Sequence, residues 1–359
     1  MKLGIIGLPQ SGKTTIFNAL TRGNAPTTAS AGRFEVHTAV VEVPDPRVTK
    51  LSEMFKPRKT IYAKVTYADI AGLESGSLRQ AQGSAASSIS GQLLNQLAQM
   101  DGFILVVRGF ESDLVMHPNG SVDPKRDVDS MLSELLLNDL IAVERKLERL
   151  TDERRKGGTD KVLNEKQTVL FTRLHEALNN NIPLRKLEYS HEEIKELSSY
   201  GLLTRKPVLV VFNMSEGQAD PQMELDVSSV ALQGKLEMEI AQLSAEDAAL
   251  FMEEYGIKEL SLSKMIRHSY DLLQVQSFFT VGDDEVRAWE TKIGATAQES
   301  AGEIHTDLQR GFVRAEVVAY DDLISLGSMN EAKAKGRLRL EGKEYLVKDG
   351  DIVHIRSSL

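Results

Sequence analysis

Near its start the chain carries Gly7-Leu8-Pro9-Gln10-Ser11-Gly12-Lys13-Thr14, which fits the pattern G-x-x-x-x-G-K-[ST]. No other stretch restricts the possible folds as much. The pattern works only where a strand runs into a tight glycine turn and the turn opens a helix, because the loop's N–H groups must converge on one anion. Both flanks comply: Leu3 to Gly7 is a short apolar run, and Thr14 to Arg22 has helical spacing through Ile16, Phe17 and Leu20. In such a loop Lys13 reaches the β- and γ-phosphates and acts as a catalytic cation. Thr14 offers its hydroxyl to magnesium, while Gly7, Gln10, Ser11, Gly12 and Thr15 line the cradle. A nucleoside-phosphate site with Mg2+ as cofactor is therefore expected.

Further strands are expected at Val36 to Val43, Tyr62 to Ile70, Phe103 to Val107 and Val208 to Phe212, with helical stretches such as Leu93 to Met100 between them. Strands alternating with helices imply βαβ units and a mainly parallel sheet, an α/β fold. Asp69-Ile70-Ala71-Gly72 closes one of these strands. A carboxylate at Asp69 holds magnesium, and the Gly72 amide senses the γ-phosphate, an arrangement of switch NTPases rather than small-molecule kinases. The next residue is Leu73, where Ras-like enzymes carry a water-orienting glutamine. An alkyl side chain cannot hydrogen-bond a water, so hydrolysis is expected to be slow or to use another group. The last strand ends in Asn213-Met214-Ser215-Glu216, where a G protein shows Asn-Lys-x-Asp. With Met214 for the lysine and the longer Glu216 for the aspartate, guanine-specific pairing is compromised and adenine becomes an alternative.

Between the strands at 103 and 208, Asp127 to Arg155 keeps apolar residues at helical spacing, breaks at Gly157-Gly158, and resumes through Val162 to Leu178. This predicts an antiparallel helical hairpin. Arg145, Lys146, Arg149, Arg154, Arg155 and Lys156 gather toward its tip, as a solvated face or a docking arm. From Ser277 onward, short strands punctuated by Gly-Asp turns, with one helix over Ala301 to Gln309, predict a compact β-rich domain. Lys333, Lys335, Arg337, Arg339 and Lys343 form a basic cluster in it. The net charge of −9, from 43 basic and 52 acidic residues, argues against a bulk polyanion binder, so any RNA contact must be local. The absence of cysteine excludes disulfides, thiolate metal sites and cysteine nucleophiles. No apolar run reaches 18 residues, so no membrane helix and a cytoplasmic location are expected.

The chain resembles the YchF/Obg-like ATPase subfamily of the Obg-related P-loop NTPases over nearly its full length. The likeness rests on Gly7–Thr15 followed by Ile16-Phe17-Asn18-Ala19-Leu20, on Val41-Glu42-Val43-Pro44-Asp45-Pro46-Arg47, and on Asp69-Ile70-Ala71-Gly72-Leu73. Asn213-x-x-Glu216, Val286-Arg287-Ala288-Trp289, Ile304-His305-Thr306-Asp307, Gly311-Phe312-Val313-Arg314-Ala315-Glu316 and Val347-Lys348-Asp349-Gly350-Asp351 extend it. The resemblance implies a P-loop G domain at 1–125 and 200–275, a helical coiled-coil insertion at 126–199, and a C-terminal β-grasp-like TGS domain at 276–359. It also implies a protein that hydrolyses ATP in preference to GTP and associates with ribosomes or RNA through the TGS domain and the arm, in translation or stress regulation; a monomer is expected. Asn213, Met214, Glu216 and Gly234 would surround the base, and His117 would take over from the missing glutamine.

Four places depart from the family pattern. Gln10 replaces the asparagine linked to a potassium site, which leaves K+ activation in doubt. Arg33 falls where a switch threonine should reach magnesium, and Leu78 to Ser87 and Gln233 to Glu237 are rewritten. Leu73 and Arg33 keep open a second reading, a nucleotide-sensing module with little or no hydrolysis.

Overall fold

The computed structural model describes residues 1–23, 36–70, 89–156, 160–218, 220, 221, 223–255, 257 and 259–358. They form two compact units: Met1–Ala39 with Thr66–Leu262, and Val40–Val65 with Ser263–Leu359. In chain order the described strands are β1 (Lys2–Ile6), β2 (Val36–Glu42), β3 (Lys59–Ile61), β4 (Lys64–Ile70), β5 (Gly102–Arg108), β6 (Val208–Asn213), β7 (Ser229–Leu232), β8 (Val275–Val281), β9 (Glu285–Lys292), β10 (Phe312–Ala319), β11 (Arg339–Glu341) and β12 (Asp351–Ser357). The first helices are α1 (Lys13–Thr21), α2 (Pro46–Phe55), α3 (Gly91–Ala98), α4 (Pro124–Lys156), α5 (Lys161–Asn179), α6 (His191–Leu197) and α7 (Gly234–Gln242).

The first sheet runs β2-β4-β1-β5-β6-β7. The pairs β1–β4, β1–β5, β5–β6 and β6–β7 are parallel, as the alternation of strands and helices predicts. Its central strands read as unbroken apolar runs because helices cover both faces. Every residue of β5 and of β6 is buried. Ile6, Ile70, Phe103, Leu105, Val107 and Phe212 form the heart of this core. The ends of β1, β4 and β6 carry the functional groups described below.

The helical arm is longer than the hairpin expected from spacing, and it is rooted in the sheet. The first turns of α4 place Val128, Met131 and Leu135 in the sheet's own core, while Val143 packs with Phe171, Leu174 and Leu178 of α5. Asp139, fully buried, fastens the root by accepting from the Leu203 and Thr204 amides at 2.9 and 2.7 Å and from the Thr204 hydroxyl at 2.6 Å. Lys146 does not join the tip cations: it donates to Gln167 at 2.9 Å and lies over the rings of Phe171 and Tyr200. Arg145, Arg149, Arg154, Arg155 and Lys156 are exposed.

The second sheet runs β11-β10-β12-β8-β9-β3 around a core of Phe278, Ala315, Val317, Val347 and Val353. Its pairs β10–β11, β10–β12 and β8–β9 are antiparallel, and β12–β8 and β3–β9 are parallel. Two differences from the expected segmentation stand out. Residues 40–65 group with the C-terminal part, because β3 completes that sheet by pairing Lys59, Thr60 and Ile61 with Glu285, Val286 and Arg287. Arg47 holds the same segment by bonding Asp45, the N-cap of α2, and Asp349. The helix expected over Ala301 to Gln309 is two, Ala297–Ile304 and Thr306–Arg310, broken at an extended His305 whose ring accepts from the Asp307 amide.

Candidate nucleotide site

The phosphate loop leaves β1 and turns within six residues. Two of them, Gln10 at φ 63° and Gly12 at φ 92°, adopt the left-handed backbone that such a turn demands. Gly7 and Gly12 also answer to space. A Cβ on Gly7 would strike the Val106 carbonyl of β5, and one on Gly12 would strike the Asn213 amide. Gly12 caps α1 with no side-chain hydrogen bond, which leaves the first amides of the helix for an anion.

Lys13 spans this loop, donating to the carbonyls of Gly7 at 3.0 Å and Leu8 at 2.9 Å. Burial pulls its pKa down to about 8, against which the nearby Asp69 carboxylate works. Beside it, the Thr14 hydroxyl donates to Asp69 Oδ2 at 2.8 Å and joins the start of α1 to the end of β4. Burial raises the Asp69 pKa, opposed by the Thr14 bond and by the charges of Lys13 and His37. Asp69 Oδ1 is buried without a hydrogen-bond partner. That orphaned oxygen, with the lone pairs of the Thr14 hydroxyl, makes a hard-oxygen pair that fits Mg2+. Among the described residues no three His, Asp or Glu side chains cluster as a metal cage, so the rest of a magnesium shell would come from phosphate and water.

The base end is built around Asn213. Its Nδ2 donates to the Ser11 carbonyl at 3.0 Å, and its Oδ1 accepts from the Gly234 amide at 3.0 Å, so one side chain ties β6, the phosphate loop and the start of α7 together. Gly234 must be small, because a Cβ there would sit 2.7 Å from Asn213 Oδ1. Met214 turns inward and packs against the sheet core, its amide donating to Leu232. Glu216 lies exposed in the turn at 215–218. Gly7, Gln10, Ser11, Gly12, Lys13, Thr14, Thr15, Asp69, Asn213 and Gly234 thus share one end of the sheet, whereas Glu216 is left in solvent. Gly72, Leu73, Arg33 and the 78–87 loop lie outside the described residues.

His117 follows β5 in the loop where the resemblance places it, and it is buried. It lines a narrow crevice with Leu8, Pro9 and Ser11 of the phosphate loop and Asp127 of α4. Its Nδ1 accepts from the Asn119 amide at 3.1 Å, and its Nε2 stands 2.9 Å from Asp127 Oδ2. Two residues here escape a motif-based reading. Arg108, almost wholly buried at the end of β5, donates to the carbonyls of Phe110 and Val115 and so holds the loop leading to His117. Asp127 is the other. A charge closing an apolar strand, and a carboxylate in the first turn of a long amphipathic helix, are the signals that mark them.

Comparison with known proteins agrees with this geometry. A family model described as 50S ribosome-binding GTPase matches residues 2–146, and the model YchF-GTPase_C, described as a protein of unknown function (DUF933), matches residues 275–358. The chain is 39% identical over 370 residues to the ribosome-binding ATPase YchF of Bacillus subtilis, covering 98% of each chain. It is 38% identical over 366 residues to the protein of that name in Haemophilus influenzae, covering 99% of this chain and 98% of the other. A solved structure of the Schizosaccharomyces pombe YchF GTPase superposes with a TM-score of 0.83 at 30% identity, covering 99% of this chain and 97% of that one.

Proposed function

The chain belongs to the YchF family, and from that premise we propose that it is a slow ATP-hydrolysing switch that binds the ribosome from the cytoplasm as a monomer. The observation that carries the nucleotide part is the Lys13–Thr14–Asp69 constellation at the mouth of a strained glycine loop. Lys13 and the loop amides hold the β- and γ-phosphates in place of the Gly7 and Leu8 carbonyls. Thr14 and Asp69 would hold Mg2+, which when bound neutralises phosphate charge. His117 is the group that orients the attacking water in place of the glutamine absent at Leu73. Gln10 in the loop argues against a requirement for K+.

Preference for ATP over GTP follows from what the base end lacks. Asn213 is occupied with Ser11 and Gly234, Met214 is turned inward, and Glu216 is in solvent. Glu216 is thereby not held against a guanine, and backbone groups are left to read the base. Ribosome contact is assigned to residues 276–359, read as a TGS domain, and to the arm read as a coiled coil at 126–199. Lys333 and Lys335, exposed and without ion pairs among the described residues, and Arg149 and Arg154 on the arm supply the local cations. The G domain is read at 1–125 and 200–275.

Titration with fluorescent ATP and GTP in Mg2+, in potassium and in sodium buffers, tests the nucleotide part. Tighter ATP binding, unaffected by the cation, is expected; tighter GTP binding removes the ATPase reading. Ribosome co-sedimentation that weakens with salt tests the rest. One observation favours the second reading, a sensing module: His117 Nδ1 is taken by the Asn119 amide and Nε2 stands 2.9 Å from the buried Asp127. Multiple-turnover phosphate release by the purified chain that is lost in Lys13→Ala excludes it.

A further inference from the structure

The environment of His117 goes beyond what its position in the chain explains. Its side chain is 4% exposed and that of Asp127 3%. Burying a carboxylate against an imidazole is expensive unless the lone pairs are used, and here they are divided in a particular way. Asp127 Oδ1 is saturated: it accepts from Arg126 Nε at 3.0 Å, Arg126 Nη2 at 2.9 Å and Asn119 Nδ2 at 3.2 Å. Asp127 Oδ2 is buried and makes no hydrogen bond, and the cationic or ring nitrogen nearest it is His117 Nε2, in ion-pair contact at 2.9 Å. The Asn119 amide donates to Nδ1, so Nδ1 carries no proton and the neutral ring carries its proton on Nε2, toward the carboxylate. Nδ1 is thereby fixed as an acceptor, and Nε2 lies beside a buried carboxylate oxygen that has no hydrogen bond of its own.

We propose that Asp127 is a positioning residue for His117. It fixes the tautomer and ring orientation that present Nδ1 as the acceptor for the attacking water. The inference rests on the assignment of His117 as the water-orienting group. It has the logic of a base held by a buried carboxylate, in which the acid acts only through the histidine. Arg126 pins the carboxylate, and Arg108 pins the backbone of the approach loop at Phe110 and Val115. In hydrolysis the Asn119 amide gives up Nδ1 to water. The water oxygen bonds to the γ-phosphorus as the bond to the β–γ bridging oxygen breaks, the electron pair leaves with the nucleoside diphosphate, and the water proton passes to Nδ1 and then to solvent.

The opposite role is available to the same contact. Asp127 could instead be a latch that withholds His117 from the nucleotide, and the two roles predict opposite changes. Among the described residues, the charged groups lining the crevice with the ring are Asp127 and Arg108, with Arg126 bonded to Asp127, and the phosphate loop contributes Leu8, Pro9 and Ser11. Single-turnover ATP hydrolysis should therefore show Asp127→Asn slowed at least ~10-fold, with ATP affinity unchanged. In His117→Ala, adding Asp127→Asn should change nothing further. A rate equal to or above wild type in Asp127→Asn, while His117→Ala is slowed, overturns the positioning role and leaves the role of His117 standing. A wild-type rate in His117→Ala overturns both. Independently of turnover, the 15N shifts of His117 should report the Nε2-protonated tautomer in the wild type and a mixture in Asp127→Asn, with thermal midpoints recorded to exclude misfolding. An Nδ1-protonated wild type contradicts the proposal.

Discussion

The two ends of the nucleotide site are built on different principles. At the phosphate end the backbone is strained at Gln10 and Gly12, a lysine is buried, and a buried carboxylate keeps one oxygen without a partner. At the base end a single buried amide, Asn213, holds three segments together, while the Glu216 carboxylate stays in water. Strain and buried charge persist only where something compensates them, and a polyphosphate with its cation does so. From this difference we propose that affinity is concentrated at the phosphates and that the base end is a scaffold reading the base through shape and backbone.

The sharpest way to break this picture is Lys13→Ala. The lysine ammonium makes charge-assisted contacts with phosphate, and its loss should weaken ATP and GTP alike by roughly 100-fold, about 3 kcal/mol, and abolish turnover. Equal loss for both nucleotides, measured by titration, is the important part. A loss confined to one of them would place base recognition at the wrong end.

Asn213→Ala comes next, and it acts through the scaffold. It leaves the Ser11 carbonyl and the Gly234 amide without their partner in a buried place, which costs about 1–3 kcal/mol. A lowered thermal midpoint is expected, together with weaker binding of both nucleotides. Unchanged stability with altered ATP-to-GTP preference would instead make Asn213 a base-reading residue.

A pH series probes the buried lysine. In the free protein Lys13 titrates near 8, because burial disfavours its charge. A bound phosphate favours that charge, so above pH 8 binding must take up a proton. Affinity should hold below pH 8 and fall by up to about 10-fold per pH unit above it. Binding that is flat to pH 10 would mean that the ammonium is already held in its charged form.

The same contrast governs how far the sequence can be read. Eight contiguous residues specify the phosphate loop, since its spacing, its glycines and its flanking strand and helix are all local. Asp69 is legible because it closes a strand. Asn213 is legible as a position, but its two bonds are not, for Ser11 and Gly234 are distant in the chain. Asp127 and Arg108 are harder still: each acts through the loop between them, whose path no periodicity describes. Residues 40–65 group with the C-terminal sheet for the same reason. The partner of β3 is β9, more than two hundred residues away, and non-local pairing leaves no mark in a short window.

The smallest effect belongs to Glu216, and it decides most finely between the two ends. In the Asn-Lys-x-Asp arrangement the fourth residue is a carboxylate that accepts from guanine. Here the corresponding side chain is one carbon longer, exposed in its turn, and preceded by a Met214 already committed to the core. A solvated carboxylate contributes little to selectivity, because a nucleobase must compete with water for it. Glu216→Ala should therefore change the ratio of ATP to GTP affinity by less than about 2-fold, within the range of ordinary surface substitutions. Shortening it, as Glu216→Asp, should likewise restore no preference for guanine while Met214 lies inward. A marked gain of GTP binding in Glu216→Asp would show that side-chain length alone had been excluding guanine, and the base end would then be a reader held out of register rather than a scaffold.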